Sequence, residues 1–158
     1  WLQITGYAFM ILREPTPEEF EAMTYLTLIN GAKGLLFFQN RPRSDNLWQK
    51  AGQIGREIAE LTPILYSSNT LSDIISTPSE IKVLGKEYNS KKYIVAVNSS
   101  PKKIDAKFNL SLPKSNDIHD DVNVKVLFEN RTLNFTDKNV LEDVFEGYQR
   151  HIYEISGE

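Results

Sequence analysis

Cysteine is absent from the 158 residues, which excludes disulfides and thiolate metal sites. That absence removes one argument for export without placing the compartment. No apolar run approaches the roughly 20 residues that cross a bilayer as a helix. There is no surplus of positive charge. The formal net charge is −3, so neither nucleic acid nor an anionic membrane is expected as a partner. The chain has no glycine-rich phosphate loop, no zinc-ligand spacing and no nucleophile elbow. No cofactor and no metal is therefore expected. It opens on Trp1-Leu2-Gln3-Ile4, with neither an initiator methionine nor a signal peptide. The expectation is a mature, truncated or processed piece.

What is present is ordinary for a soluble globular chain. Apolar residues make up 41% and charged residues 25%, at a length that allows one large or two small domains. Asn-x-Ser/Thr sequons stand at Asn98, Asn109, Asn130 and Asn134. In a sequence this rich in Asn, Ser and Thr they read as chance matches, with meaning only in a eukaryotic secretory pathway.

The most informative stretch is NGAKGLLFFQNR, residues 30–41. It reads as a helix end, a glycine turn and a short strand without a polar face. Gly34-Leu35-Leu36-Phe37-Phe38 does not alternate, so burial on both faces is expected, as in parallel α/β sheets. Gln39, Asn40 and Arg41 follow at the carboxyl end, where barrels and open sheets bind ligands. Upstream, residues 1–5 suit a strand. Thr16-Pro17-Glu18-Glu19 predicts a helix start, with Thr16 as N-cap, Pro17 in the first position and Glu19 closing a capping box. The helix is expected to bury Phe20, Met23, Leu26 and Ile29 and to end at Gly31 in a left-handed conformation. A second helix follows the polar loop 40–46. Leu47, Ala51, Ile54, Ile58 and Leu61 form one stripe, and Pro63 marks its end. Gly52 and Gly55 suggest close approach to a neighbouring strand.

The second half changes period. Ile104, Ala106, Phe108, Leu110 and Leu112 alternate with polar residues, which predicts a half-buried antiparallel strand. Further strands are expected over 80–84, 93–98, 122–128, 131–135 and 150–155, with turns at Asn89-Ser90, Ser99-Ser100-Pro101, Glu129-Asn130 and Glu146-Gly147. Six or seven such strands suggest a small β-sandwich with its own core. Residues 66–78, rich in Ser, Thr and Asn, read as the linker. The first half then poses a problem. Two parallel strands and two helices do not make a domain, because a doubly buried strand needs neighbours on both edges.

The segment 30–41 resembles the eighth-strand region of clan A glycoside hydrolases. It is most similar to the "hGAdgilfFQwR" signature of family 42 β-galactosidases, matched by Gly31, Ala32, Gly34, Phe38, Gln39 and Arg41. Asn40 stands where that signature has Trp. The wider block RxPTPEExxAMTYLxLxNGAKG, from Arg13 to Gly34, looks like a broader set of bacterial glycosidase-like barrels that carry a C-terminal sandwich. The ending VFEGYQRHIYEI, residues 144–155, resembles the last strand of such sandwiches. The resemblance implies a fold of class α/β plus β. Residues 1–68 would be the last two β/α units of a TIM barrel, and residues 69–158 a small antiparallel β-sandwich accessory domain. It also implies a carbohydrate substrate, and the remaining barrel on another chain or a cut precursor. The complete assembly would be a glycoside hydrolase, inactive as this chain alone, in a secreted or periplasmic setting. Catalytic carboxylates of the clan lie at the ends of strands four and seven, roughly 5 Å apart in retaining enzymes. Strand four is not in this sequence.

The candidate substrate-binding residues are Gln3, Tyr7, Phe38, Gln39, Arg41 and Trp48. Tyr7 lies in a long loop on the carboxyl face, with Phe9 and Arg13; packing on the barrel rim is the alternative there. Gln39 and Arg41 offer hydrogen bonds to sugar hydroxyls. Phe38 and Trp48 offer rings for a pyranose face, although Trp48 also reads as the start of the helix stripe. By the resemblance, Gln3 lies near the nucleophile position on strand seven. Its amide is a poor nucleophile. Either the carboxylate is displaced, for example to Glu14, or it was replaced, or this branch lacked one. The last reading is favoured. Glu18 and Glu19 are explained by capping, His119-Asp120-Asp121 by a hydrated turn, and His151 by packing in the last strand. The rival functions are a non-catalytic carbohydrate-binding protein and a structural or assembly module.

Overall fold

A computed structural model describes residues 2–4, 13–37, 42–110, 122–137 and 139–156. Two strands and two helices come first: β1 (Leu2–Ile4), α1 (Pro17–Ile29), β2 (Leu35–Phe37) and α2 (Asp45–Leu65). β1 and β2 pair in parallel, as the sequence implies.

The start of α1 follows its sequence signal. Thr16 Oγ1 accepts from the Glu19 amide at 3.2 Å, and Glu19 Oε2 accepts from the Thr16 amide at 2.9 Å. Two of the orphan donors at a helix start are thereby satisfied. Gly31 at the other end has φ of 89°, which a side chain would strain. The buried face differs from the expected stripe. Phe20, Thr24, Tyr25 and Leu28 are buried, whereas Met23 is 39% exposed. α1 carries apolar residues around much of its circumference. Its orientation is set by Tyr25 and Glu21, whose polar ends meet partners in the core.

α2 begins two residues before the stripe, at Asp45, because Ser44 caps it by accepting from the Leu47 amide at 3.1 Å. Leu47, Ile54 and Leu61 are buried as expected. Pro63 does not end the helix, which runs on to Leu65. Within the last turn the missing N–H forfeits one bond, and the Thr62 carbonyl still accepts from the Tyr66 amide at 3.0 Å. Gly52 and Gly55 make no close approach. A Cβ at Gly52 would meet only the Arg56 guanidinium at 3.7 Å, and one at Gly55 nothing within 4 Å.

The rest is antiparallel: β3 (Thr70–Leu71), β4 (Ile74–Thr77), β5 (Ile81–Tyr88), β6 (Lys91–Asn98), β7 (Ile104–Leu110), β8 (Asn123–Val126), β9 (Arg131–Leu133), β10 (Val140–Phe145) and β11 (Arg150–Ser156). A six-stranded sheet has the order β3-β5-β6-β11-β8-β9, and a three-stranded sheet the order β10-β7-β4. β3 and β4 lie inside the segment read as linker. They and β10 raise the strand count above expectation, being short or weakly alternating. Asn89 and Ser90 both have positive φ, at 50° and 61°, in the tight β5–β6 hairpin. The turn before β11 carries its positive φ at Tyr148, not Gly147. Gly147 serves close packing instead: a Cβ there would sit 2.3 Å from the Pro101 carbonyl oxygen.

Two cores result. One lies between the sheets and holds Phe108, Leu141, Phe145 and Tyr153. The other lies between the helices and the opposite face of the large sheet, with Phe20, Tyr25, Leu47, Ile54, Tyr93, Val95, Val97 and Ile152. β6 is therefore buried on both faces over Tyr93, Ile94, Val95, Ala96 and Val97. The sandwich alternates cleanly at β7 but not at β6. The core between the sheets is built from sandwich residues alone, and the larger sheet has a second apolar face, which α1 covers.

Candidate functional site

The β1–β2 pair is in register as Leu2 with Leu35, Gln3 with Leu36 and Ile4 with Phe37. Neighbouring residues of a strand face opposite ways. Leu35 packs toward the helical core, and Leu36 is 60% exposed. The strand expected to be buried on both faces is thus covered on one face only among the described residues. Among the described residues no third strand joins the pair.

Of the six candidate substrate residues, Tyr7, Phe38, Gln39 and Arg41 lie outside the described residues. Gln3 is the middle residue of β1. Trp48 is 49% exposed near the start of α2 and takes no part in the buried stripe, which begins at Leu47. It lies in a shallow polar groove with Glu18, Asn46, Gln49, Gln53 and Arg56.

The neighbouring charged residues are committed to local partners. Arg13 donates to both Glu19 oxygens, at 2.6 and 2.5 Å. That bond and the Thr16 amide bring the Glu19 carboxyl down to about 2. Glu14 Oε1 accepts from the Arg43 amide, and its other oxygen accepts from the Ser44 amide at 3.2 Å. Its carboxylate pins the loop before α2.

A buried ionic cluster, which sequence reasoning missed, joins the helices to the sandwich. Arg150 opens β11 at 5% exposure. Its Nη2 lies 2.7 Å from Glu57 Oε1 of α2, its Nε 3.3 Å from Glu21 Oε1 of α1, and its Nη1 3.4 Å from Glu129 Oε1. The guanidinium stacks over Tyr25 and Phe128, at 5.5 and 5.6 Å from the ring centres. Tyr25 donates to Glu57 at 2.7 Å. On the other side of the sheet Arg131 pairs with Glu129 at 2.9 Å and Asp143 at 2.7 Å. His151 Nδ1 lies 2.6 Å from Glu129, and its Nε2 lies 3.1 Å from the Val144 carbonyl. His151 is packed and hydrogen-bonded as expected, edge-on to Phe145 at 4.4 Å. Burial pushes the Glu129 and Asp143 carboxyls up, but hydrogen bonds from His151 and Arg131, and from Arg131 and Tyr153, outweigh it and hold both low. Every carboxylate here faces a cation. Such an arrangement clamps elements together and offers no free acid or base to a substrate. The only signal was a charged residue opening the last strand, and its two helix partners, Glu57 and Glu21, lie 93 and 129 residues upstream.

Solved structures share this fold. Alpha-galactosidase I from Mortierella vinacea is similar over 91% of this chain and 36% of its own, with a TM-score of 0.64 and 10% identity. Alpha-amylase from Geobacillus thermoleovorans, solved with acarbose, is similar over 91% and 34%, with a TM-score of 0.62 and 14% identity. A GH27 β-L-arabinopyranosidase from Geobacillus stearothermophilus is similar over 95% and 34%, with a TM-score of 0.60 and 14% identity. At these identities the likeness is one of fold. The chain spans about a third of the length of these structures. The sequence matches no protein-family profile and no curated relative. Its fold is that of a sandwich-bearing segment of glycoside hydrolases.

Proposed function

We propose that this chain is the C-terminal segment of a glycoside hydrolase-like protein. Residues 1–68 supply the last two β/α units of a (β/α)8 barrel and one wall of a sugar cleft. Residues 69–158 form the accessory sandwich. One observation carries the reading: β1 and β2 form a parallel pair in which Leu36 is 60% exposed, while Leu35 on the opposite face packs against the helical core. Parallel strands occur almost only with both faces covered. A barrel completed by further polypeptide provides that cover, on another chain or from a cut precursor. The nearness to family 42 rests on the segment 30–41 alone.

In the complete protein, Gln39→Ala and Arg41→Ala should weaken binding of mono- and oligosaccharides in calorimetry while leaving the melting temperature in place. No heat from any sugar with the unsubstituted protein would overturn the reading. Unchanged affinity in both variants would make the two residues structural.

A non-catalytic sugar-binding role is the second reading, favoured by the amide of Gln3 in β1. Gln3→Glu in the complete protein, assayed on aryl glycosides, separates the two. A gain of turnover marks a nucleophile position that the amide blocks. No gain keeps the protein a binder.

A further inference from the structure

We propose that the cavity beside β2 is a socket for a segment of the polypeptide that completes the parallel sheet, and that this segment brings a carboxylate to Lys86 and Lys33. The inference rests on the barrel reading and names one contact of the missing part. The cavity has a volume of about 610 Å³. Gly31 and Gly34 line it ahead of β2, Gly55 and Ile58 on α2, and Leu84 on β5. Lys33 and Lys86 also line it, and no lining residue carries a carboxylate.

Lys86 is 7% exposed. Its ammonium donates to the Ser67 carbonyl at 2.7 Å and to the Thr70 hydroxyl at 3.0 Å, both neutral oxygens. Burial lowers its pKa, and the charge of Lys33 lowers it further. Among the described residues Lys86 has no counter-charge; an ammonium so placed is costly, and a second cation on the same cavity adds repulsion. One incoming carboxylate relieves both.

The surroundings favour polypeptide over a free anion. Tyr66 on the cavity wall is 63% exposed, and much of the lining is apolar, with Leu28, Leu35, Ile54, Ile58 and Leu84. The cavity lies on the helix-facing side of β2, where Leu35 lines it. Open space above Gly55 admits a close neighbour. A symmetric second copy fits poorly, because it would bring lysines against lysines.

The test uses the natural protein with all of the polypeptide that flanks these residues. Zero-length carbodiimide coupling and peptide mapping should join Lys86 or Lys33 to an Asp or Glu outside the 158 residues. Lys86→Met should lower that yield at least about fivefold. If that variant does not fold, Lys33→Met on the exposed rim carries the same comparison. Lys33 should also acetylate at least about tenfold more slowly than exposed Lys102. Crosslinks confined to the chain, crosslinks between copies in an isotopically mixed sample, or a Lys33 as reactive as Lys102 would each overturn the socket. Sugar binding without the crosslink removes the socket and leaves the carbohydrate reading. The crosslink without sugar binding does the reverse.

Discussion

Arg150 Nη2 and Glu57 Oε1 lie 2.7 Å apart, with side chains 5% and 6% exposed, and so tie the last strand to the second helix. Deleting one partner strands the other in the core. Arg150→Met should destabilise the chain by about 3–5 kcal/mol in urea unfolding. The pair Arg150→Met with Glu57→Gln should lose less than the single arginine change, because one buried carboxylate fewer is left without its cation. Additive losses would show that the two residues do not interact.

Acid should loosen the other end of the cluster. Glu129 and Asp143 are held below their ordinary values of 4.5 and 3.8 in the folded state. A lowered folded value means that their contribution is complete above the unfolded values. It is lost as pH falls through the folded ones. Urea midpoints should therefore hold steady down to roughly pH 5 and then drop. Glu129→Gln should flatten that drop. An acid limb of the same depth in the variant would place the sensitive group elsewhere.

Gly147 is expected to tolerate no side chain. A Cβ there would sit 2.3 Å from backbone at Pro101, so one of the two turns must move. Gly147→Ala should cost about 1–3 kcal/mol in thermal unfolding. A midpoint equal to wild type would show that the turns yield freely.

A chain starting at Ser72 uncovers Tyr93, Val95, Val97 and Ile152, which the helices bury. Each such side chain is worth roughly 1.5–3 kcal/mol when fully buried. The shortened chain should melt well below the intact one or aggregate. Melting at the same temperature would show that the sandwich stands without α1 and α2.

Local signals carried much of the fold. The Thr16–Glu19 capping box, the turn at Gly31, the stripe Leu47-Ile54-Leu61 and the alternation of β7 are each written within one or two helical turns or one strand. The rest depends on residues far apart in sequence. Glu21 and Glu57 face inward only because Arg150 waits there, so the buried side of α1 could not be read from α1. β3 and β4 are short, and their pairing partners, not their composition, make them strands. The candidate sugar-binding residues were read from a strand end and a resemblance. Of these, Gln3 is placed in β1 and Trp48 on an exposed helix turn, while the other four fall outside the described residues.

β11 comes last in the chain order yet lies in the interior of the large sheet, bonded to β6 on one side and β8 on the other. A ribosome making this chain must therefore release residue 150 and beyond before the sheet can close or the two helices can find their counter-charge. Until then α1 and α2 carry Glu21 and Glu57 with no partner from β11, and β6 lacks its central neighbour. Synthesis order makes the earlier elements depend on β11, so a product cut before residue 150 should be degraded and should not yield a smaller working piece.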